Sequence, residues 1–214
     1  MTIAEIVKKS FKKLGYDISK IESDVDKKRE PIELSEIRKV NYGCGAVLLN
    51  GWVNVDLMPA SFIKRANALK GNIYYQMDLT KKHPFPDNSI EFAFSEDFIE
   101  HLNQVDAVIF LTEIYRTLQK NGVLRLSFPG FFNVLALHFG EISYEQARKM
   151  KAEAYTKNSH KHFFCFEELK QLCQHIGFSD IQSVEYGKSN YPELRDLDTR
   201  ADQIDVNIHA EIVK

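Results

Sequence analysis

The chain has 214 residues, of which 44% are hydrophobic and 27% are charged, a composition typical of one globular domain. Its formal net charge of -2 gives no overall attraction to nucleic acids or anionic membranes. Three cysteines without a Cys-x-x-Cys pair indicate neither a disulfide framework nor a standard zinc site, and they fit the reducing cytoplasm. No run of about 18 apolar residues is present, so we expect no membrane span.

Residues 1–35 contain a predicted amphipathic helix and a charged linker without a regular pattern. Between Ile3 and Leu14 the apolar residues recur at helical spacing, lysines occupy the opposite face, and Gly15 is suited to end the helix. The basic face could lie on anionic lipid. An apolar stripe that covers the domain's own pocket is the commoner arrangement, and we favour it.

The segment 40–56 organises the rest of the chain. A short β-prone run ends at Tyr42, a turn with Gly43 and Gly45 follows, and a second β-prone run ends at Asp56. Glycine lets a ligand approach the backbone closely, because it has no side chain and accepts a positive φ. A carboxylate at the end of the next strand can accept hydrogen bonds from ribose hydroxyls at the same sheet edge. We therefore predict a nucleotide-type site here.

The spacing within this segment argues against a dinucleotide site. A βαβ crossover normally needs at least about 10 to 12 residues, whereas Gly43 to Gly51 provides nine. The crossover helix should therefore be reduced to a turn. The dinucleotide fingerprint also expects a glycine where Leu48 stands, and an acid about 20 residues on. Asp56 comes after eleven, so NAD is disfavoured.

Beyond this segment, β-prone runs alternate with a helical pattern. The runs cover residues 72–79, 89–95 and 123–128, and apolar residues keep helical spacing between 98 and 118. Such alternation predicts a parallel α/β sheet whose ligand lies outside the carboxyl ends of the strands. We expect one cleft where five strand ends meet, at Gly43, Asp56, Asp78, Ser95 and Pro129.

The remaining residues complete a single domain over residues 1–214. Residues 131–165 have a looser pattern of aromatic and charged residues, which we interpret as an inserted lid. A helical pattern over 166–176 stops at Gly177, and two β-prone runs follow at 181–186 and 206–213. Residues 166–214 are therefore expected to complete the sheet.

Together these motifs resemble the class I S-adenosylmethionine-dependent methyltransferases, and most closely a subgroup with Gly-Cys-Gly, a short spacer and Gly-Trp-x-Asn-Val-Asp. The likeness is carried by Val40–Asp56, Met77–Asn88, Glu100–Leu102 and Glu113–Phe128. It implies a Rossmann-like methyltransferase fold, an α/β architecture with a mostly parallel twisted sheet, helices on both faces and an antiparallel C-terminal strand. It also makes residues 36–130 the cofactor-binding core and S-adenosyl-L-methionine the cofactor.

The resemblance implies roles for individual residues. The backbone from Tyr42 to Gly45 would face the methionine part of the cofactor, Asp56 its ribose, Asp78 its adenine, and Ser95 the mouth of the pocket. Three features depart from the family's pattern: Asn41 stands where many members have an acid, Val47 where a third glycine is usual, and residues 119–122 read Gln-Lys-Asn-Gly in place of Lys-Pro-Gly-Gly. The residues expected to bind the cofactor are Tyr42, Gly43, Cys44, Gly45, Asp56, Leu57, Met77, Asp78, Leu79 and Ser95.

The acceptor side has a weaker signature. His101 is the candidate general base, since imidazole titrates near neutral pH; the alternative is a residue that packs at a helix start. The residues expected to contact the substrate are Glu96, Pro129, His160 and His162. With Cys165, the last two have the residue types of a metal cluster, but a fourth ligand at short spacing is missing. We predict no metal.

We expect methyl transfer to a small-molecule or glycan-like acceptor, on oxygen or nitrogen. The reaction depends mainly on holding donor and acceptor in line. A non-catalytic module that binds S-adenosylmethionine is the alternative, because no acceptor-side base is certain. Nucleic-acid modification is less favoured, since it predicts a basic groove. The sequence indicates no oligomeric state.

Overall fold

The computed structural model describes residues 33–59, 72–139 and 143–214. The predicted N-terminal helix lies outside these residues. Within them, seven strands form one sheet in the order β3-β2-β1-β4-β5-β7-β6. The strands are β1 (Lys39–Tyr42), β2 (Val53–Asp56), β3 (Ile73–Gln76), β4 (Ile90–Glu96), β5 (Leu118–Pro129), β6 (Asp180–Ser183) and β7 (Asn207–Val213).

The strand directions confirm the predicted α/β fold. β1 to β5 run parallel to one another, whereas β7 runs antiparallel to both of its neighbours, β5 and β6. The described helices are α1 (Gln104–Thr117), α2 (Phe131–Phe139), α3 (Tyr144–Ala152) and α4 (Phe166–Ile176). Four 3-10 helices (Leu34–Glu36, Ile99–His101, Pro192–Leu194 and Ala201–Gln203) and a π-helical turn at Glu153–Lys157 accompany them.

The alternating side chains of β5 show how the two faces of the sheet are covered. Leu124 and Leu126 point into the main core, which also contains the buried residues of α1 and α4. Val123 points to the opposite face and packs with Trp52 and Leu194. This alternation follows from the two-residue period of a strand. Helical segments therefore lie on both faces, as predicted.

Two asparagines hold the shortened crossover between β1 and β2, which contains no helix. Nδ2 of Asn41 donates to the main-chain oxygen of Val47 and to Oδ1 of Asn54, both at 3.0 Å. Asn54 also accepts from the main-chain nitrogen of Leu49 at 2.8 Å. Both asparagines are buried, so they satisfy backbone groups that a crossover helix would have paired internally. The predicted turn is confirmed.

A buried arginine fastens residues 184–198 to the sheet. Arg125 on β5 is fully buried, and its guanidinium pairs with the carboxylates of Asp198 and Glu211. It also donates to the main-chain oxygens of Glu185 and Lys188, at 3.1 and 2.8 Å. These bonds fix the position of the residues that directly follow Asp198.

The helix ends differ in how closely the sequence predicted them. The helix expected over 98–118 is divided: a 3-10 turn covers Ile99–His101 and α1 begins at Gln104. The division arises because Oδ1 of Asn103 accepts from the nitrogen of Asp106 at 2.9 Å and caps α1. The predicted bounds of α4 are confirmed, and Gly177 ends it with a φ of 121°.

No helix in the described part of the chain is long and apolar enough to cross a membrane.

Candidate active site

The two glycines after β1 have different surroundings. Both have positive φ, 64° for Gly43 and 50° for Gly45. A Cβ on Gly43 would lie 2.3 Å from Cγ of Phe98. The side chain of Phe98 therefore packs directly against the backbone of Gly43. A Cβ on Gly45 would have no atom of the described residues within 4 Å. The open side of the turn is therefore at Gly45.

Asp56 joins this turn to the neighbouring strands. Its Oδ2 accepts from the main-chain nitrogen of Gly45 at 2.8 Å, and its Oδ1 accepts from that of Met58 at 2.9 Å. Its main-chain oxygen accepts from the nitrogen of Met77 at 2.7 Å. The ends of β1, β2 and β3 therefore form one connected edge, as the sequence predicted.

A hollow of about 280 Å3 opens beside Gly45. Its walls come from the glycine turn, from the end of β4 and from a segment near the C-terminus. The lining residues are Asn41, Gly43, Cys44, Gly45, Ala46, Val47, Phe94, Glu96, Asp97, Thr199 and Arg200. Burial raises the pKa of the Cys44 thiol, which therefore behaves as a small apolar residue of the turn rather than a nucleophile.

A larger cavity of about 570 Å3 adjoins this hollow. Asp97 and Arg200 line both spaces. The larger cavity is further enclosed by α2, α3 and the segment that follows them, through Val134, Leu137, Met150, Ala154, Asn158 and Phe163. Its remaining walls are Glu100, His101, Pro129, His160, Asp202, Gln203 and Val206.

The shared wall is built from a network of charged residues. Oδ2 of Asp97 accepts from Nε of Arg200 at 2.7 Å, and its Oδ1 accepts from Nδ2 of Asn207 at 2.9 Å. Oε1 of the adjacent Glu96 accepts from the main-chain nitrogen of Thr199 at 2.8 Å. Burial raises the pKa of Glu96. The network holds residues 199–200 against the end of β4.

Glu100, His101 and His160 meet on one wall of the larger cavity. Oε1 of Glu100 lies 3.9 Å from Nε2 of His101 and 4.0 Å from Nε2 of His160. The two imidazole rings pack edge to face, with centroids 4.9 Å apart. Burial raises the pKa of Glu100 to about 8 and lowers that of His160 to about 4, since both effects disfavour the charged form.

Several predicted residues contribute backbone or packing rather than an exposed side chain. Ser95, expected at the mouth of the pocket, is instead fully buried, because β4 continues to Glu96. Oδ1 of Asp78 accepts from the nitrogen and hydroxyl of Thr80. Leu57 differs from these residues, since its exposed fraction is 62%. The other predicted cofactor residues with buried side chains are Tyr42, Cys44, Met77 and Leu79.

The structure separates the two histidines that the sequence placed together. His160 lines the larger cavity, whereas Nε2 of His162 lies 2.9 Å from Oε1 of Glu168 at the start of α4. Sγ of Cys165 accepts from the nitrogen of Glu168 and caps that helix. The side chains of His160, His162 and Cys165 therefore do not lie together in one cluster.

Sequence reasoning missed Thr199 and Arg200, which line the hollow. They lie in a stretch without periodicity, between the runs expected at 181–186 and 206–213. The only local hint is Asp198, an acid that the buried Arg125 requires as a partner from a distant part of the chain. Such pairing between distant residues leaves no pattern along the sequence. Thr199 and Arg200 could therefore be identified as lining residues from the structure but not from the sequence.

Residues 40–126 match the family model of a methyltransferase domain. The match covers the glycine turn, Asp56, and the cluster at Glu100 and His101. The chain therefore contains a methyltransferase domain, and its fold is that of solved S-adenosylmethionine-dependent methyltransferases. S-adenosyl-L-methionine is bound in one of these neighbours, the phosphoethanolamine N-methyltransferase 2 from Haemonchus contortus.

Solved structures share the fold of this methyltransferase. An S-adenosylmethionine-dependent methyltransferase from Mesorhizobium loti is 18% identical, with 86% of this chain and 94% of that chain covered and a TM-score of 0.58. A possible histamine N-methyltransferase from Thermotoga maritima is also 18% identical, with 83% and 81% covered and a TM-score of 0.55. Phosphoethanolamine N-methyltransferase 2 from Haemonchus contortus, solved with phosphomonomethylethanolamine and S-adenosylhomocysteine, is 17% identical, with 86% and 49% covered and a TM-score of 0.53. No curated protein matches the sequence.

Proposed function

We propose that this methyltransferase methylates oxygen or nitrogen of a small-molecule or glycan-like acceptor bound in the larger cavity. S-adenosylmethionine supplies an electrophilic methyl group on its sulfonium. The observation that carries the proposal is the wall of Asp97 and Arg200, which lines both the hollow and the cavity. Two ligands can therefore meet across it, and such positioning can contribute about 7 to 11 kcal/mol to catalysis.

The residues around the hollow fit the cofactor. The open backbone at Gly45 would lie against its methionine part, since a side chain there would fill the space. The carboxylate of Asp56, at the end of the adjacent strand β2 and 2.8 Å from the nitrogen of Gly45, would accept from the ribose hydroxyls. Met77, Asp78 and Leu79 follow β3 and would border the adenine.

The lining of the larger cavity supports a polar acceptor with several hydroxyl or amine groups. Phe163 offers an aromatic face, while Asn158, Asp202 and Gln203 offer donors and acceptors of hydrogen bonds. A sugar ring matches this combination, and members of the resembling subgroup are often associated with polysaccharide synthesis. Acidic residues on the same wall argue against a nucleic-acid acceptor.

His101 would act on the acceptor group that loses a proton, because its ring lies on the cavity wall beside Glu100. Pro129 and His160 would contact the acceptor from the same wall, whereas Glu96 faces the cofactor hollow. We assign residues 131–165 the role of a lid, since α2 and α3 contribute apolar side chains to the cavity. The unpaired cysteines Cys44, Cys165 and Cys173 favour a reducing, cytoplasmic setting.

One observation favours the alternative of a non-catalytic binding module. The Asp97–Arg200 ion pair, with 2.7 Å between Oδ2 and Nε, is part of the wall that lines both spaces. In a non-catalytic module, S-adenosylmethionine would bind in the hollow, and the Asp97–Arg200 pair would keep it apart from any molecule in the larger cavity.

A panel of acceptors separates the two functions. Hydroxylated sugars, nucleotide sugars and small primary amines would be incubated with S-adenosylmethionine and the protein, and release of S-adenosylhomocysteine would be measured. Turnover on a sugar or an amine supports the proposed enzyme. Calorimetric binding of S-adenosylhomocysteine without turnover on any acceptor supports the module.

A further inference from the structure

Glu100, His101 and His160 have the geometry of a metal-binding group. One ligand atom of each lies within 4.8 Å of those of the other two. Both imidazole Nε2 atoms point toward the same carboxylate oxygen, Oε1 of Glu100, at 3.9 and 4.0 Å. Ligand atoms around one zinc ion are about 3.3 to 3.5 Å apart, given bonds of about 2.0 to 2.2 Å. Small side-chain rotations would therefore close the group around an ion.

The backbone brings these residues together independently of their side chains. Glu100 and His101 belong to the 3-10 turn that follows β4. The main-chain oxygen of Glu100 accepts from the nitrogens of Lys161 and His162, at 2.7 and 3.2 Å. The segment with His160 is therefore fastened to the turn with Glu100, and the convergence of the three side chains is a fixed feature of the fold.

The carboxylate of Glu100 has no partner of its own. Its residue is only 1% exposed, and neither Oε1 nor Oε2 has a hydrogen-bond partner among the described residues. The guanidinium of Arg200, which lines the same cavity, is paired with Asp97 at 2.7 Å. Buried polar side chains rarely lack a hydrogen-bond partner, and a bound cation would be a suitable partner for this carboxylate.

We propose that Glu100, His101 and His160 bind a divalent cation whose open coordination positions face the acceptor cavity. Two imidazoles and one carboxylate suit zinc or manganese better than magnesium or calcium, which prefer oxygen ligands alone. Three protein ligands with an open position are typical of catalytic rather than structural metal sites. The sequence prediction of no metal was based on His160, His162 and Cys165. Of these three residues, His160 alone belongs to the group with Glu100 and His101.

The inference rests on the proposed function and makes the acceptor more specific. A hydroxyl oxygen of the acceptor would bind the ion, which stabilises the alkoxide and lowers the pKa of that hydroxyl. The O–H bond then breaks with its electron pair on oxygen, and the proton passes to water. The site therefore favours an alcohol or sugar acceptor over an amine, and His101 acts as a ligand rather than as a free base.

Metal binding can be measured without activity. The full chain, without a polyhistidine tag, would be dialysed against a chelator and then titrated separately with zinc, manganese and magnesium in a calorimeter. We expect one equivalent of zinc or manganese to bind, magnesium to bind far more weakly, and zinc to raise the melting temperature. Glu100→Gln and His160→Asn should each weaken zinc binding by about tenfold or more.

His175→Gln is the matched control, because His175 is an exposed histidine in the last turn of α4. Its removal should leave the affinity unchanged. The inference is overturned if neither zinc nor manganese binds, or if both cavity variants bind zinc with the wild-type affinity. Titration of S-adenosylhomocysteine into the same metal-free protein keeps the two proposals apart: cofactor binding without metal binding overturns only this inference, whereas absence of cofactor binding overturns the proposed function.

Discussion

Asp97 and Arg200 form an ion pair that belongs to both cavities of the methyltransferase. The pair joins the end of β4 to a segment far along the chain, and it marks where donor and acceptor would meet. Arg200 is half-exposed, whereas Asp97 is mostly buried and is also held by Asn207. We therefore predict that loss of the Arg200 side chain lowers ligand affinity more than it lowers the stability of the fold.

Arg200→Gln tests this role. The free energy of unfolding should change by less than about 1 kcal/mol, because one partner of the pair is half-exposed to solvent. The affinity for S-adenosylhomocysteine should fall by about threefold to tenfold, since a charged group on the wall of the hollow is lost. Calorimetry and thermal melting measure both quantities. Arg195→Gln is the control, as the hydrogen bonds of Arg195 within the described residues go to nearby main-chain oxygens; equal effects from both variants would contradict the assignment.

Asp56→Ala should weaken S-adenosylhomocysteine binding by about 1 to 3 kcal/mol, the scale for removing a partner from a buried hydrogen-bonding site. The variant loses the acceptor for the ribose and the 2.8 Å bond to the nitrogen of Gly45. Asp180→Ala, at the exposed edge strand β6, serves as the control. An affinity that is the same in the wild type and in Asp56→Ala would remove Asp56 from the site.

The buried pair of Arg125 and Asp198 should be important for stability as well as for the site. Asp198→Asn is expected to cost about 3 to 5 kcal/mol of unfolding free energy, because it leaves a buried guanidinium without its main countercharge. Glu145→Gln removes a comparable pair with Arg148 that is exposed on both sides, and it should cost less than about 1 kcal/mol. Chemical denaturation of the two variants compares them, and equal losses would contradict this explanation.

The buried imidazole of His83 should make the free energy of unfolding depend on pH below about 7. Burial lowers its pKa to about 4, and Nε2 lies 3.2 Å from the main-chain oxygen of Leu79. Because the folded pKa is below the unfolded value of about 6.5, the unfolded chain binds more protons between these values. Stability from this group is complete above about pH 6.5 and is lost as the pH falls toward 4, by about 2 kcal/mol between pH 7 and pH 5.

Denaturation at both pH values measures this loss, with His83→Gln as the reference that cannot titrate. The difference between wild type and variant should shrink by that amount at the lower pH. A difference that stays constant would show that His83 is protonated equally in both states.

The sequence predicted those parts of the fold that depend on neighbouring residues. The bounds of α4 follow from an amphipathic pattern and from Gly177, which accepts the positive φ that ends the helix. The trimmed crossover follows from counting residues between Gly43 and Gly51.

The parts of the fold and of the candidate site that the sequence did not predict depend on contacts between distant residues. A glycine reveals that a Cβ is absent but not what approaches it, and at Gly43 the neighbour is Phe98. Likewise, His160 stands near His162 in the sequence but faces Glu100 and His101 in the fold. These relationships come from the order of the strands and from two main-chain hydrogen bonds, neither of which has a periodic signature.

We propose that S-adenosylmethionine binds against the bare backbone at Gly45. A pair of glycine variants tests this contact. Gly45 and Gly51 both have positive φ, 50° and 76°, and a Cβ at either would have no described atom within 4 Å. Gly45→Ala and Gly51→Ala should therefore lose similar stability, about 1 to 2 kcal/mol. Calorimetric titration with S-adenosylhomocysteine should show an affinity at least tenfold lower for Gly45→Ala and unchanged for Gly51→Ala. Equal affinities in the two variants would contradict the account.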